Sequence, residues 1–327
     1  MREGSLVALT GGTGFVGSHV ADALIASGRR VRALVRRPEN PGWLKGLDLE
    51  LVQGDVRRPE SLEPLVAGAD AIVHVAGKTS ARSEAEYMAA NADGAGNVAR
   101  AARTVSPDAH FILVSSQAAA GPGLNGAPVS VSDAPHPVSA YGRSKLAGEK
   151  AVRAAGLGFT ILRPAAVYGP RETAIKDLFV AASRGFVPVL AGGKPRIQLV
   201  YAGDAAASVL GALARGGRNE TFFVAHPEVL DYRQIAVILS RLRTPQAWLL
   251  PVPAPLIRAA GFLAEAATAF GGVPPVFNRE KATELLQPAW LCDVTAAQSA
   301  LGEPFRTSFS EGARRTFDWY RAEGWLR

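Results

Sequence analysis

The stretch "TGGTGFVG" at residues 10–17 constrains this chain more than any other. It follows a short apolar run, "SLVALT" (5–10), and opens a segment with apolar residues at helical spacing, "GFVGSHVADALIASG" (14–28), which closes on Gly28. Gly11, Gly14 and Gly17 stand three apart within it. A strand, a tight glycine turn and a helix start let the backbone approach a pyrophosphate closely. They also offer it free N–H groups and the positive end of a helix dipole. A lone glycine triplet would say little. Placed between strand and helix at the start of the chain, it predicts dinucleotide binding, with Thr13, Phe15 and Val16 of the same turn beside the phosphates.

The alternation continues. "RVRALVR" (30–36), "LELVQGD" (49–55), "DAIVHVAG" (70–77), "HFILVSS" (110–116) and "GFTILRP" (158–164) read as strands, with helical patterns between them, the longest from Ala81 to Thr104. Strands separated by helices imply parallel pairing with right-handed crossovers. The expected fold is therefore α/β, a doubly wound parallel Rossmann sheet with a smaller, mostly helical C-terminal substrate lid. Beyond residue 165 Pro and Gly become frequent. The pattern there gives helices at 202–216, 231–242 and from Ser310, taken as its cap, and a strand at 220–226. The expected division is 1–170 plus about 196–228 for the dinucleotide-binding part, and about 171–195 plus 229–327 for the substrate lid.

Cofactor choice is read one strand further on. An NAD site has Asp or Glu at the end of the second strand, whereas this chain has Arg36 and Arg37. A guanidinium can bind a 2′-phosphate, so NADP is expected, with NAD as the alternative. Asp55, followed by Val56, stands where a carboxylate could accept from the adenine amino group; a turn aspartate reads equally well.

The chemistry is expected at three positions. "FILVSSQAAAG" ends a strand with Ser115 and Ser116, and "SAYGRSK" starts a helix holding Tyr141 and Lys145 one turn apart. A free phenol, with a pKa of about 10, is a poor base at neutral pH. A nearby ammonium would lower that value, and a serine hydroxyl can hydrogen-bond the reacting oxygen. Tyr and Lys four apart arise by chance, so the pair carries weight only together with the glycine turn.

In order along the chain, "TGGTGFVG", "GD" (54–55), "HVAG" (74–77), "VSSQAAAG", "YGRSK" and "LRPAAVYGP" (162–170) resemble the extended short-chain dehydrogenases/reductases of the NAD-dependent epimerase/dehydratase type. The resemblance spans nearly the whole chain. It implies that Tyr141 is the acid/base and that Lys145 lowers its pKa and binds the nicotinamide ribose. Ser116, five residues before Gly121, matches the catalytic serine, leaving Ser115 structural. Val75, Ala76 and Gly77 would line the cofactor, with Pro164 and Val167 on the nicotinamide side. Asn91 matches a family asparagine near the site; a helix-start hydrogen bond is its other reading.

Within that family the chain reads as an oxidoreductase acting on a ketone or secondary alcohol of a mainly apolar small molecule, resembling the hydroxysteroid-dehydrogenase and dihydroflavonol-reductase branches. A nucleotide-sugar epimerase or dehydratase is the alternative, and a non-catalytic NADP-binding scaffold a third. Sugar-nucleotide relatives usually carry an asparagine where this chain has Ala166. They also commonly carry an acid where it has Gln198, and Arg196 is one residue out of register. Trp248, Leu249, Leu250, Leu256, Ile257, Phe262 and Phe270 offer apolar surface for a substrate or for the lid's own core. Lys78, Arg171 and Lys176 are candidate substrate anchors.

Composition limits the rest. Net charge is +7, but the Arg pairs are scattered and no aromatic stacking motif sits among them, so no nucleic-acid partner is expected. Cys292 is the one cysteine. No metal site, signal peptide or membrane span is read. "APLIRAAGFLAEAATAFGG" is interrupted by Arg258 and Glu265 and reads as a buried or substrate-facing helix, with membrane contact as the alternative. The expectation is a soluble cytoplasmic protein, with a homodimer through the helices at 81–104 and 138–156 implied by the resemblance.

Overall fold

The computed structural model describes residues 4–268 and 277–326; Phe270 lies outside them. Seven parallel strands form the main sheet: β1 (Leu6–Thr10), β2 (Arg30–Val35), β3 (Glu50–Gln53), β4 (Ala71–His74), β5 (His110–Val114), β6 (Phe159–Pro164) and β7 (Glu220–Val224). Their order is β7–β6–β5–β4–β1–β2–β3. The order reverses between β1 and β4, so the connections leaving those two strands part and open a crevice at their carboxyl ends.

Both faces of the sheet are covered, which is why its central strands are mostly apolar. All five residues of β1 are buried. Val7 and Leu9 face a core shared with α1 (Phe15–Ala26) and α4 (Ala202–Arg215). Ala8 faces the opposite core, shared with α2 (84–105) and α3 (Ala140–Ala154). Helix α2 starts three residues later than the pattern suggested, because Ser83 caps it by accepting from the Glu86 N–H. Its stretch Met88–Asp93 is wound as a π-helix, and the wider turn carries the buried Asn91.

Beyond the main sheet, the rest of the molecule has no large sheet among the described residues. Phe186–Leu190 pairs with Trp248–Val252, Ala166–Tyr168 with Leu199–Tyr201, and Arg196–Ile197 with Leu230–Asp231 and Ala289–Trp290. Its core gathers Tyr168, Phe179, Leu239, Phe309, Phe317 and Tyr320. Helix Tyr232–Ser240 opens on a capping box between Asp231 and Gln234. The last helix, Phe309–Ala322, is capped by Ser308 rather than Ser310. Ser308 has the extended backbone a cap needs, whereas Ser310 is already in the first turn.

Candidate active site

A cleft of about 950 Å³ runs from the carboxyl ends of β1 and β4 to the lid. The glycine turn forms one end, and each glycine there has its own steric cause. Gly11 has φ +76°, and a Cβ on it would lie 2.5 Å from the Ala76 nitrogen. A Cβ on Gly17 would lie 2.0 Å from the Gly11 carbonyl, so α1 can approach β1 only if that residue has no side chain. Gly14 differs: a Cβ there would meet only the Gly11 oxygen, at 3.3 Å, among the described residues. Gly14 also starts α1 without any side-chain cap. The N–H groups at this helix end and the room in front of them fit a pyrophosphate.

Ser116, Tyr141 and Lys145 all line the same cleft. Ser116 follows β5, and its side chain accepts from the Ala118 N–H (3.1 Å). Lys145 is buried and donates to the Val114 carbonyl (2.8 Å). Burial pushes its ammonium down to about 8, against the pull of Glu149. Tyr141 moves opposite to the sequence expectation. Burial pushes the phenol up to about 12, the nearby Ser116 hydroxyl opposes this, and the charge of Glu284 and the neighbouring Tyr87 add to the rise. Desolvation of the ring outweighs the opposing Ser116 hydroxyl, so at neutral pH the phenol holds its proton. Such a group is poised as an acid.

Ser115 lies beneath this surface. It donates to Glu149 (2.6 Å), which also receives two hydrogen bonds from Arg163 (2.9 and 2.7 Å), with all three side chains buried. This network ties β5, β6 and α3 together. Asn91 receives the Lys78 N–H (2.7 Å) and donates to the Lys78 carbonyl (3.0 Å) and to Ser144 (2.8 Å). It thus clamps the loop after β4 whose Val75, Ala76, Gly77 and Lys78 line the cleft. Lys78 itself pairs with Glu86 (2.9 Å).

At the other end of the glycine turn, Arg36, Asp55 and Val56 line the cleft and Arg37 does not. Arg37 is one residue further along an exposed connection. Asp55 is held by Arg57, whose backbone N–H (2.9 Å) and guanidinium (3.0 and 2.6 Å) bond it. Those contacts lower its carboxyl to about 2. Arg57 lines the cleft as well and was not singled out from the sequence.

The lid side departs most from expectation. Arg171 is absent from the lining: its guanidinium pairs with Asp22 (2.8 Å) and lies over the Trp43 ring (5.1 Å). Lys176 likewise lies over Trp325 (5.4 Å). None of Trp248, Leu249, Leu250, Leu256, Ile257 or Phe262 lines the cleft. Its apolar lid wall comes instead from residues such as Leu178, Val187, Leu190, Ile197, Leu199 and Leu239. Gln198 is buried in lid pairing, accepting from the Cys292 N–H (2.7 Å) and donating to the His226 carbonyl (3.2 Å).

Sequence reasoning also missed a clasp between lid and sheet domain. Helix Arg279–Leu285 puts Glu280 and Glu284 at the start of α3. Glu280 accepts from the Ala140 N–H (2.9 Å) and Glu284 from the Ser139 hydroxyl (2.6 Å). Carboxylates at a helix N-terminus are favourable, and here they hold the turn that carries Tyr141. Beside it, the buried Gln117 lines the cleft with an Nε2 that has no partner among the described residues. Neither feature belongs to a short motif, so only the folded chain brings them forward.

A Rossmann sheet, a glycine turn with an open helix start, and a Ser–Tyr–Lys set in one cleft define a dinucleotide-dependent enzyme. Residues 7–225 match the NAD-dependent epimerase/dehydratase family, and the chain belongs to it, within the extended short-chain dehydrogenases/reductases. It is 38% identical to the ceramide reductase of Caulobacter vibrioides over 329 residues, covering 98% of this chain and 96% of that one. It is 30% identical to the 4-hydroxy-2-methyl-3-oxo-4-farnesyl-3,4-dihydroquinoline-1-oxide ketoreductase of Stigmatella aurantiaca, covering 79% of each. The UDP-glucuronic acid 4-epimerase of Bacillus cereus, solved with UDP-glucuronic acid and NAD, shares the fold with a TM-score of 0.77 at 19% identity, covering 97% of this chain and 99% of that one.

Proposed function

We propose that this enzyme is an NADPH-dependent reductase of a ketone carried on a ceramide-like, mainly apolar lipid. The observation that carries the reading is the continuity of the cleft: the Ser116–Tyr141–Lys145 set opens directly onto an apolar lid wall. The ceramide reductase and ketoreductase relatives support the same class. The glycine turn would hold the pyrophosphate, Arg36 and Arg57 the 2′-phosphate, and Val75, Ala76, Gly77, Pro164 and Val167 the walls around the nicotinamide. The bound cofactor supplies the hydride. Tyr141 gives its proton to the carbonyl oxygen as negative charge develops there, and Ser116 hydrogen-bonds the same oxygen. The Lys145 ammonium then stabilises the phenolate left behind.

Charge on the lid side disfavours the sugar-nucleotide alternative. Among the described residues, Glu172, Glu280 and Glu284 line it with Lys281 as the cation, which itself pairs with Glu284 (2.9 Å). A diphosphate there would meet like charge. The test is turnover of an N-acylated long-chain amino ketone. NADPH should be oxidised in step with formation of the secondary alcohol, and Arg36→Ala should weaken NADPH roughly tenfold while leaving NADH unchanged. Epimerisation of a UDP-hexose without net cofactor consumption would overturn the proposal.

A further inference from the structure

The helix Ala254–Thr268 was expected to be buried or to face substrate. It does neither. Ile257 and Gly261 point inward, and a Cβ on Gly261 would lie 2.9 Å from the Asn278 carbonyl, so one narrow stripe seats the helix. Leu256, Ala259, Ala260, Phe262 and Leu263 are exposed, with Leu256 at 59% and Leu263 at 65%. The strand leading into this helix behaves the same way. Trp248 stands opposite Phe186 and Leu250 opposite Pro188, and Trp248 is 80% exposed. Alternation along a strand puts Trp248 and Leu250 on one outward face, while Val187 and Val189 turn inward. Helix and strand both pack on the turn Ala191–Gly193, so the exposed groups form one region of the lid.

Cations surround that region. Arg258 is on the helix, Arg279 lies over the Phe262 ring (5.7 Å), and Lys194 follows the shared turn. Arg184 precedes the strand Phe186–Leu190, and the Arg243 guanidinium lies beside Gly185. None of the five forms a salt bridge with another described residue. Glu265 is the carboxylate on the exposed side of this helix. An apolar face with a basic surround is complementary to a bilayer bearing anionic headgroups. The cleft is next to it: Val187, Pro188 and Leu190 line the cleft from the strand that exposes Phe186, and Asn278 lines it beneath the helix.

We propose that this outer face of the lid docks on an anionic membrane surface, with the rim of the cleft turned toward the lipid. Docking of this kind is peripheral; no described helix is long and apolar enough to cross a membrane. The surface stands apart from the identity of the reduced group, because it contains none of the residues assigned to catalysis or cofactor.

The experiment is flotation of the full chain with vesicles of phosphatidylcholine alone or with phosphatidylglycerol added. The chain should float with the anionic vesicles, leave them in high salt, and bind pure phosphatidylcholine weakly. Arg258→Glu should lower binding at least fivefold, since each cation near such a surface is worth about that factor. Leu263→Glu should lower it further, and both variants should keep the native melting temperature because the positions are exposed. Turnover of a short soluble ketone in vesicle-free buffer should match the native enzyme, which reads the active site separately. The proposal fails if the native chain stays with the soluble fraction in both vesicle types, or if Leu263→Glu floats as well as native. It also fails if Leu256→Glu dissociates an oligomer without altering flotation, which would make a second copy the occupant.

Discussion

The sheet wall of the cleft and the lid wall are held in place by different means. On the sheet side, backbone approaches backbone: Gly11 against the Ala76 nitrogen, Gly17 against the Gly11 carbonyl. No side chain can be inserted there, so the residue type follows from the geometry. On the lid side, two- and three-stranded pairings and short helices are joined to the sheet domain by side chains, among them Glu280 and Glu284 on the start of α3. Side-chain links tolerate exchange; backbone contacts do not. On the reading proposed above, the general chemistry rests on the rigid wall, and the choice of substrate on the adjustable one.

The sharpest way to break this division is Tyr141→Phe. If the sheet side carries the chemistry, turnover should fall roughly 10³-fold while cofactor affinity stays near native. A small loss of turnover would move the proton donor elsewhere. Gly17→Ala comes next. The added methyl would overlap the Gly11 carbonyl, and urea unfolding should show a loss of about 3 kcal/mol together with weaker cofactor binding. Wild-type stability would mean that α1 can shift away from β1, contrary to the contrast drawn above.

Smaller effects sharpen the lid side. Glu284→Gln keeps a side chain of the same shape but removes the charge that raises the Tyr141 phenol. The apparent phenol pKa, read from the alkaline limb of the rate profile, should fall, and turnover should drop about fivefold from a loosened Ser139 contact. An unchanged limb would detach the lid clasp from the proton donor.

Stability against pH tests the buried Lys145. Its folded pKa, about 8, lies below the ordinary 10.5. Between those values the unfolded chain holds a proton that the folded chain has released, so stability from this group rises with pH across that window. Lys145→Met should flatten the rise; an identical slope in both proteins would place the titration elsewhere. The smallest effect belongs to Arg171→Ala. With Asp22 and Trp43 as its partners, the change should cost about 1 kcal/mol or less and leave the substrate KM alone. A raised KM would return Arg171 to the substrate's side.

Some of this was available from the order of residues alone. The glycine turn, the mostly apolar strands and the Ser116, Tyr141 and Lys145 positions are local patterns, and local patterns survive in a linear string. A parallel strand buried on both faces is mostly apolar, and a pyrophosphate turn needs glycine where backbone meets backbone, so composition at those places carries much of the fold directly. The direction of the Tyr141 shift, the diversion of Arg171 to Asp22, the Glu280–Glu284 clasp and the outward turn of Leu256 and Leu263 were decided only in three dimensions. Each depends on which distant segment packs against the residue. Desolvation and ion pairing are properties of neighbours brought together by folding, and residues as far apart as 139 and 284 have no short-range pattern to announce them.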